Sequence, residues 1–541
     1  MITSLLWTIC ALGAAPDTLS PPLRALALHP SGGPVQVVVI PTVADHDRAL
    51  ARELSAAVPG FATQVVAGGM VQALVPPDRL RELAAREGVA RVRVPHRARP
   101  KEIVTEGYSA MFEEDWHALG RTGAGVRVAI LDVGFKDYLA LQGTELPPSI
   151  ETHFQGDWSA EEHGTAVAEI IHDIAPDAEI VLYSFETEVE FLASCQEILD
   201  NGEVLVSASI GFDNVWHADD TSIYSRTVDQ LAEAGITWVA AAGNEGWSYW
   251  VGEAVDSDGD GWMELDGEVL VETSAYDFAW ASVRWDEPFG AAARDLDLYL
   301  YGTGDEALCQ SEDEQSGAGD PYEEIWCHPP AEEVKLAVYD YSRSSAPIKL
   351  WLFSYWDLAP GVASLRETLT LPSDASGAIT VGGVQWWDQE LAWYSSRGPT
   401  NDGRMKPDVS APTEVTTSTY GNRQFTGTSA ATPHVAGVAA LLLQDNAWGP
   451  EQVRAWLVEH AEDLGPPGPD KDFGAGYLQI AAGADDDPVD TGDPDDTGDP
   501  DDTGEALVAP GCGCATGAPG GLWALVALGA GLIRRREARR G

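Results

Sequence analysis

The chain has 541 residues, more than one ordinary domain holds, and 44% of them are hydrophobic, enough for several cores. Its 86 acidic against 32 basic residues leave a formal net charge of −54, which excludes a phosphate-binding surface and with it nucleic acid as a partner. Such acidity suits an extracellular, saline or calcium-containing setting, and six cysteines are too few for a disulfide framework at this length.

The opening stretch, MITSLLWTICALGAAP, is a short apolar run ending in small residues, the pattern of a signal peptide spanning 1–15. Residues 30–98 form a small α+β unit. A β run at 35–40, a helical stretch at 46–57, a second apolar run at 70–75, a helix at 77–87 and VARVRV at 89–94 follow one another. PHRARPKEI then reads as an exposed, cleavable linker.

From about 108 to 250 near-continuous Val/Ile/Ala strands alternate with helical stretches. VRVAILDVGF (126–135), AEIVLYSF (178–185), VLVSASIGF (204–212) and ITWVAAAGNEG (236–246) all end in polar residues or glycine. That alternation predicts an α/β fold with a doubly wound parallel sheet, whose ligands sit at the carboxyl ends of the strands. Over 251–370 the period changes to two, in WASVRW, DLDLYLYG, VKLAVYDY and IKLWLF, predicting an inserted antiparallel β-sandwich. The α/β pattern resumes over 371–483.

Residues 484–510 repeat Asp-Pro-Asp-Asp-Thr-Gly, carry no apolar core and read as an extended acidic linker. The tail, 511–541, holds Cys512, Cys514, an apolar stretch at 518–533 and terminal arginines, the pattern of a membrane anchor. In the body only Cys195, Cys309 and Cys327 remain. Cys309 and Cys327 flank an acidic loop and are the pair available for a disulfide in an oxidising compartment.

Three residues carry the chemistry. Ser429 opens an alanine-rich helix that is apolar on every side; taken alone it reads first as an N-cap, although the same setting suits a nucleophile. Asp132 ends the strand VAILD, and His163 begins the helical HGTAVAEII; singly they read as a turn residue and a helix cap. Together they meet the needs of acyl transfer, in which histidine takes the serine proton and a carboxylate holds the imidazole.

The order Asp, His, Ser and the blocks VAILDVGF, HGTAVAEII, VAAAGNEG, GTSAATPHVAG and SSRGPTNDGRMKPDVSAPT resemble the subtilisin-like serine proteases (subtilases) over about 110–250 and 370–480. The resemblance implies Asp132 as orienting carboxylate, His163 as general base and acid, Ser429 as nucleophile and Asn244 as oxyanion donor. It implies Ser209, Ile210 and Gly211 with Ala241, Ala242 and Gly243 as the segments that hold a protein or peptide substrate. Val133 and Ala166 depart from the family pattern, neither at a chemical position. By the same resemblance 30–98 is an inhibitory propeptide, an intramolecular partner cut away between 95 and 112. The tail resembles the C-terminal sorting signals of myxobacteria, implying cell-surface or outer-membrane anchoring.

DSDGDGWMELD (256–266) places Asp256, Asp258, Asp260 and Glu264 in a loop like the calcium loop of EF-hands, although position twelve is Gly267. It reads equally as a solvated acidic turn. The expected protein is thus a secreted serine endopeptidase, with no cofactor in the chemistry and calcium, where bound, structural. A catalytically silent subtilase-like surface binding protein is the alternative, and an esterase lacks the Gly-x-Ser-x-Gly elbow around Ser429.

Overall fold

Strands buried on both faces build the centre of the molecule. The computed structural model describes residues 33–43, 46–93, 103–112, 115–330 and 333–481, with scattered positions between 18 and 30. The leader, the acidic linker, the C-terminal tail and residues 95–102 of the expected cleavage range lie outside the described residues.

Nine strands form the main sheet: β1 (Arg127–Asp132), β2 (Glu151–Phe154), β3 (Glu179–Ser184), β4 (Leu205–Ala208), β5 (Thr237–Ala241), β6 (Ala378–Gln385), β7 (Val409–Thr413), β8 (Ala461–Glu462) and β9 (Tyr477–Leu478). Their order is β8-β9-β7-β6-β5-β4-β1-β3-β2. Every neighbouring pair is parallel except the short β8–β9 pair. Alternation along β1 shows why both faces must be covered. Val128 and Ile130 join one hydrophobic cluster and Ala129 and Leu131 another. The first cluster also takes in helices α1 (His163–Ile174) and α4 (Thr428–Leu443); the second takes in α2 (Glu188–Asn201) and α3 (Ile223–Glu233).

Helix α4 is buried from Thr428 through Leu442, which accounts for its lack of any polar face. Short helix Glu106–Met111 docks beside it. Thr105 Oγ1 lies 3.0 Å from His434 Nε2, Thr105 N–H donates to Asp173 (2.7 Å), and the Ile480 N–H donates to the Met111 carbonyl (2.6 Å). Ile103 and Thr105 therefore pack on this body, with the Ile103 N–H on Glu145 at 3.0 Å.

Between β5 and β6 the chain makes two antiparallel sheets. One has the strand order 264–265, 249–255, 348–354, 279–285, 322–327, and the other 271–274, 333–340, 296–301, 307–311. One hydrophobic cluster, including Trp285, Leu298, Leu336 and Leu352, draws from both. A Cys309–Cys327 disulfide joins strand 307–311 of one to strand 322–327 of the other, with Cα atoms 6.6 Å apart.

The N-terminal unit is a four-stranded antiparallel sheet in the order 62–67, 70–75, 35–41, 89–93 with helices Asp47–Ala57 and Leu80–Ala84. Strand Ala62–Ala67 departs from the sequence reading. It is an edge strand, exposed at nearly every position, so it carries little hydrophobic pattern. The Gly68-Gly69 turn that joins it to Met70–Val75, with both φ angles positive (59° and 73°), was its one local signal. Among the described residues no helix is long and apolar enough to cross a membrane.

Candidate active site

Asp132 is the last residue of β1, and His163 the first of α1. Gly164 makes their approach close. A Cβ there would lie 2.5 Å from Phe135, 2.7 Å from the Gly134 carbonyl and 2.8 Å from the Asp132 Cβ. His163 Nδ1 stands 2.9 Å from each Asp132 carboxylate oxygen, and Asp132 is fully buried and also accepts the Val133 N–H at 2.8 Å. A carboxylate only accepts, so Nδ1 carries the proton and Nε2 is left as the free base. Burial alone would lower the His163 pKa, but the Asp132 charge and hydrogen bond outweigh it and hold the pKa above the ordinary imidazole value.

Ser429 is the second residue of α4, where first-turn N–H groups lack intrahelical acceptors. Pro433, four residues on, has no N–H to give the Ser429 carbonyl. The Ser209 hydroxyl takes over, donating to that carbonyl at 3.0 Å, while the Ser429 hydroxyl donates to the Ser209 carbonyl at 3.2 Å. These reciprocal bonds seat the β4 loop against the start of the helix. In this conformer Ser429 Oγ is thus turned to Ser209 rather than to His163.

Asn244, after β5, accepts with Oδ1 from the Thr428 N–H (2.8 Å) and lies 3.1 Å from the Thr428 hydroxyl. Because a backbone N–H can only donate, the amide orientation follows, and Nδ2 is the donor that remains. Gly427, at φ 97°, precedes them; a Cβ there would press to 3.1 Å on Asn244 Nδ2. Gly243 N–H donates to Thr428 Oγ1 at 3.2 Å, which joins the Ala241–Gly243 segment to the same helix start. The arrangement offers a base, its orienting carboxylate, a hydroxyl and an amide donor at the carboxyl ends of the strands.

The structure therefore brings Asp132 onto His163, and Ser209, Gly243 and Asn244 onto the helix start that carries Thr428 and Ser429. Ser209 and Ala241–Gly243 are buried, Ile210 half-buried and Gly211 exposed. Sequence reasoning passed over Thr428, which orients the Asn244 amide. It also passed over Thr370, which follows the inserted sheets and donates its N–H to the Ala242 carbonyl (3.1 Å). No local pattern marks Thr370, because only the return of the chain brings it there.

Away from this site, Asp256, Asp258 and Asp260 offer ligand oxygens within 4.8 Å of one another. Glu264 is not in that group. Its carboxylate accepts from the Ser257 N–H (2.8 Å) and hydroxyl (3.1 Å), because strand 264–265 turns it back over the loop. Asp256 accepts the Gly259 and Gly261 N–H groups at 2.8 and 2.9 Å, which curls the loop around its carboxylate.

The chain is similar to the minor extracellular protease Vpr of Bacillus subtilis (strain 168), 25% identical over 67% of this chain and 52% of that protein. It is 37% identical to a subtilisin of Bacillus pumilus over 125 residues, 23% of this chain and 43% of that one. It spans about half the length of the curated relatives it matches. Among solved structures, the Clostridium perfringens CspB protease aligns with a TM-score of 0.49 at 18% identity, over 68% of this chain and 95% of that one. Residues 362–476, which contain Ser429 but not Asp132, His163 or Asn244, match the model of the subtilase family, Peptidase_S8.

Proposed function

We propose that the protein is a secreted serine endopeptidase that hydrolyses peptide bonds through Asp132, His163 and Ser429. The observation that carries the reading is the Asp132–His163 couple, which leaves a basic Nε2, at the strand ends where Asn244 meets the start of the Ser429 helix. The subtilase match around Ser429 and the similarity to extracellular proteases support it. Ser429 Oγ attacks the peptide carbonyl carbon as His163 Nε2 takes its proton. The oxyanion that forms is held by Asn244 Nδ2 and the Ser429 N–H. The imidazolium, stabilised by Asp132, returns the proton to the leaving amine, and water then hydrolyses the acyl-enzyme by the same route.

In this reading residues 1–15 are a leader, 30–98 an inhibitory propeptide, and the sheets between Tyr249 and Ser354 an accessory β-sandwich inserted in the catalytic domain. Of the expected range 95–112, the docking of Ile103 and Thr105 favours a processing cut upstream of residue 103. Asp256, Asp258 and Asp260 are oxygen donors of the kind calcium takes and would hold it as a structural ion. The tail from 511 anchors the protein at the cell surface.

The bond from Ser429 Oγ to the Ser209 carbonyl favours the second reading, a catalytically silent surface binding protein. A fluorophosphonate label with a casein digest decides between them, the wild type set beside Ser429→Ala. Labelling at Ser429 with digestion by the wild type alone supports the peptidase. A folded, unlabelled and inactive wild type supports the binding protein.

A further inference from the structure

In the inserted sheets, Leu296, Leu298 and Leu300, with Leu336 and Val338, enter the hydrophobic cluster, so Asp297, Tyr299, Tyr301 and Tyr339 stand on the outer face. Asp297 pairs opposite Tyr339, and Trp262 bridges to Tyr339 from the other side. The turn that delivers Trp262 comes close because Gly261 precedes it. A Cβ there would lie 2.6 Å from the Tyr339 ring, and its φ is 96°. The Trp262 ring centroid is 5.3 Å from that of Tyr299, 6.1 Å from Tyr301 and 4.9 Å from Tyr339, the planes crossing at 68–70° in each case.

These rings wall a cleft of about 710 Å³, and every residue lining it is aromatic or acidic. The acids are Asp295, Asp297, Glu312 and Glu314; among the described residues none of them forms an ion pair. The Tyr299 hydroxyl lies 3.2 Å from Asp297 Oδ2 and 2.5 Å from Glu312 Oε1, one proton for two carboxylates, and Asp297 is only 6% exposed. Burial, and after it the Asp295 and Glu312 charges, push the Asp297 pKa up to about 6. One guanidinium, Arg343, lies over Tyr339 at 4.9 Å, but it donates to the Gly259 carbonyl and the Tyr339 hydroxyl and does not line the cleft. Ring faces and carboxylates both attract cations, and carboxylates short of donors gain most from a cation that brings them. A second cleft, of about 1210 Å³, shares Trp262 and Tyr301 with the first. Leu270, Leu358 and Pro360 line it beside Glu272, Asp305 and Asp357, and its one basic residue, Lys335, is 3.4 Å from Glu272. Trp247 and Trp393 line it too. Trp247 follows Asn244 by three residues, within about 11 Å along the chain, and the Tyr394 hydroxyl, next to Trp393, accepts the Gly427 N–H at 3.0 Å.

We propose that the two clefts form one docking groove for a basic, partly apolar segment of a polypeptide substrate, with a lysine or arginine side chain seated among Trp262, Tyr299 and Tyr339 against Asp297 and Glu312. The binding stands by itself; that the bound chain is also cut at Ser429 rests on the peptidase reading. Charge selects the occupant. The clefts carry eight carboxylates against one lysine, which itself lies beside Glu272, so an acidic chain is repelled. An oligosaccharide stacks on rings but brings no charge to balance the carboxylates. A free alkylammonium fills the smaller cleft and leaves the larger one, with its apolar lining, empty. A polypeptide fills both, and Trp247 and Trp393 connect the larger cleft to the Asn244 and Gly427 end of the catalytic residues.

The test measures binding to the full-length Ser429→Ala protein by fluorescence polarisation. The probes are a labelled decapeptide of alternating Lys and Leu and its counterparts with Gln or Glu for Lys, with choline and maltohexaose as competitors. The Lys peptide is expected to bind about tenfold tighter than the Gln peptide, with the Glu peptide unbound. Trp262→Ala, which leaves every charge in place, and Asp297→Asn are each expected to weaken the Lys peptide about tenfold. Glu312→Gln, at an exposed position, should weaken it too without disturbing a buried side chain. Equal binding of the Lys and Gln peptides overturns the proposal. So does Lys binding unchanged in Trp262→Ala and Glu312→Gln, because the attraction would then be the overall negative charge. Binding of choline or maltohexaose without the Lys peptide overturns it as well. In the wild type, with active sites counted by fluorophosphonate, the same substitutions should raise KM for a long Lys/Leu substrate and leave kcat/KM for a tetrapeptide unchanged; an unchanged KM overturns the substrate role. Lys-peptide binding without label or cleavage overturns the peptidase reading and leaves the groove. Label and cleavage without Lys-peptide binding overturn the groove and leave the peptidase reading.

Discussion

Ser209→Ala tests how the helix that carries Ser429 is started. Pro433 leaves the buried Ser429 carbonyl without its helical donor, and the Ser209 hydroxyl is the substitute, at 3.0 Å. Removing that hydroxyl strands a buried acceptor, which costs about 1–3 kcal/mol. Pro433→Ala restores an N–H at the position four residues beyond Ser429. By itself it should change stability little, because the new hydrogen bond competes with Ser209 and the lost proline constraint on the unfolded chain costs only about 0.4–1 kcal/mol. With both changes the new N–H satisfies the carbonyl, so Ser209→Ala should cost roughly 1–2 kcal/mol less than it does beside Pro433. Urea unfolding measures this, with all variants in a Ser429→Ala background to stop self-digestion while keeping the carbonyl, which is backbone. Additive effects within about 0.3 kcal/mol would refute the account of the proline and its substitute donor.

On the peptidase reading, Asn244→Ala removes the side-chain donor to the oxyanion and leaves the Ser429 N–H, and should lower kcat roughly 100- to 1000-fold, with KM nearly unchanged, in steady-state peptide assays. A large rise in KM at constant kcat would move Asn244 out of that role. His163 must be neutral to take the serine proton, and Asp132 holds its pKa above about 6.5, so kcat/KM should fall with acid at a midpoint above that value. The stability from the Asp132–His163 pair has the opposite sign: it is complete below the unfolded-state pKa and lost as pH rises through the folded one. Reducing Cys309–Cys327, which closes a separation of 18 residues, should cost the inserted sheets about 3 kcal/mol, read as a calorimetric transition that moves earlier on adding reductant and that a Cys309→Ser/Cys327→Ser protein already shows, unmoved, without it. Calcium at about 100 times its dissociation constant should raise stability by about 2.7 kcal/mol in the wild type and far less in Asp258→Asn, followed by thermal melts; equal shifts in both would exclude the Asp256–Asp260 loop.

Much of this was legible in the chain itself wherever a local pattern answers to a local force. The long Val/Ile/Ala runs demanded burial on both faces and hence helices on both sides of a parallel sheet. The change to period two at about 250 marked the antiparallel sheets, and Asp132, His163, Asn244 and Ser429 stood in blocks whose spacing is fixed by strand ends and helix starts. Other features depend on segments far apart in sequence meeting in space. Ser209 satisfies Ser429 across 220 residues, and Thr428 orients Asn244 across 184. Thr370 reaches the floor between Gly211 and Gly243 only after the chain has built two sheets and returned. The edge strand 62–67 escaped for a related reason: with one side against solvent it needs no hydrophobic pattern, and its pairing to 70–75 supplies what its composition lacks. Periodicity thus specifies which surfaces must be buried, whereas the partner of each polar atom at the site is set by how the chain closes, since hydrogen bonds depend on distances that sequence spacing does not encode.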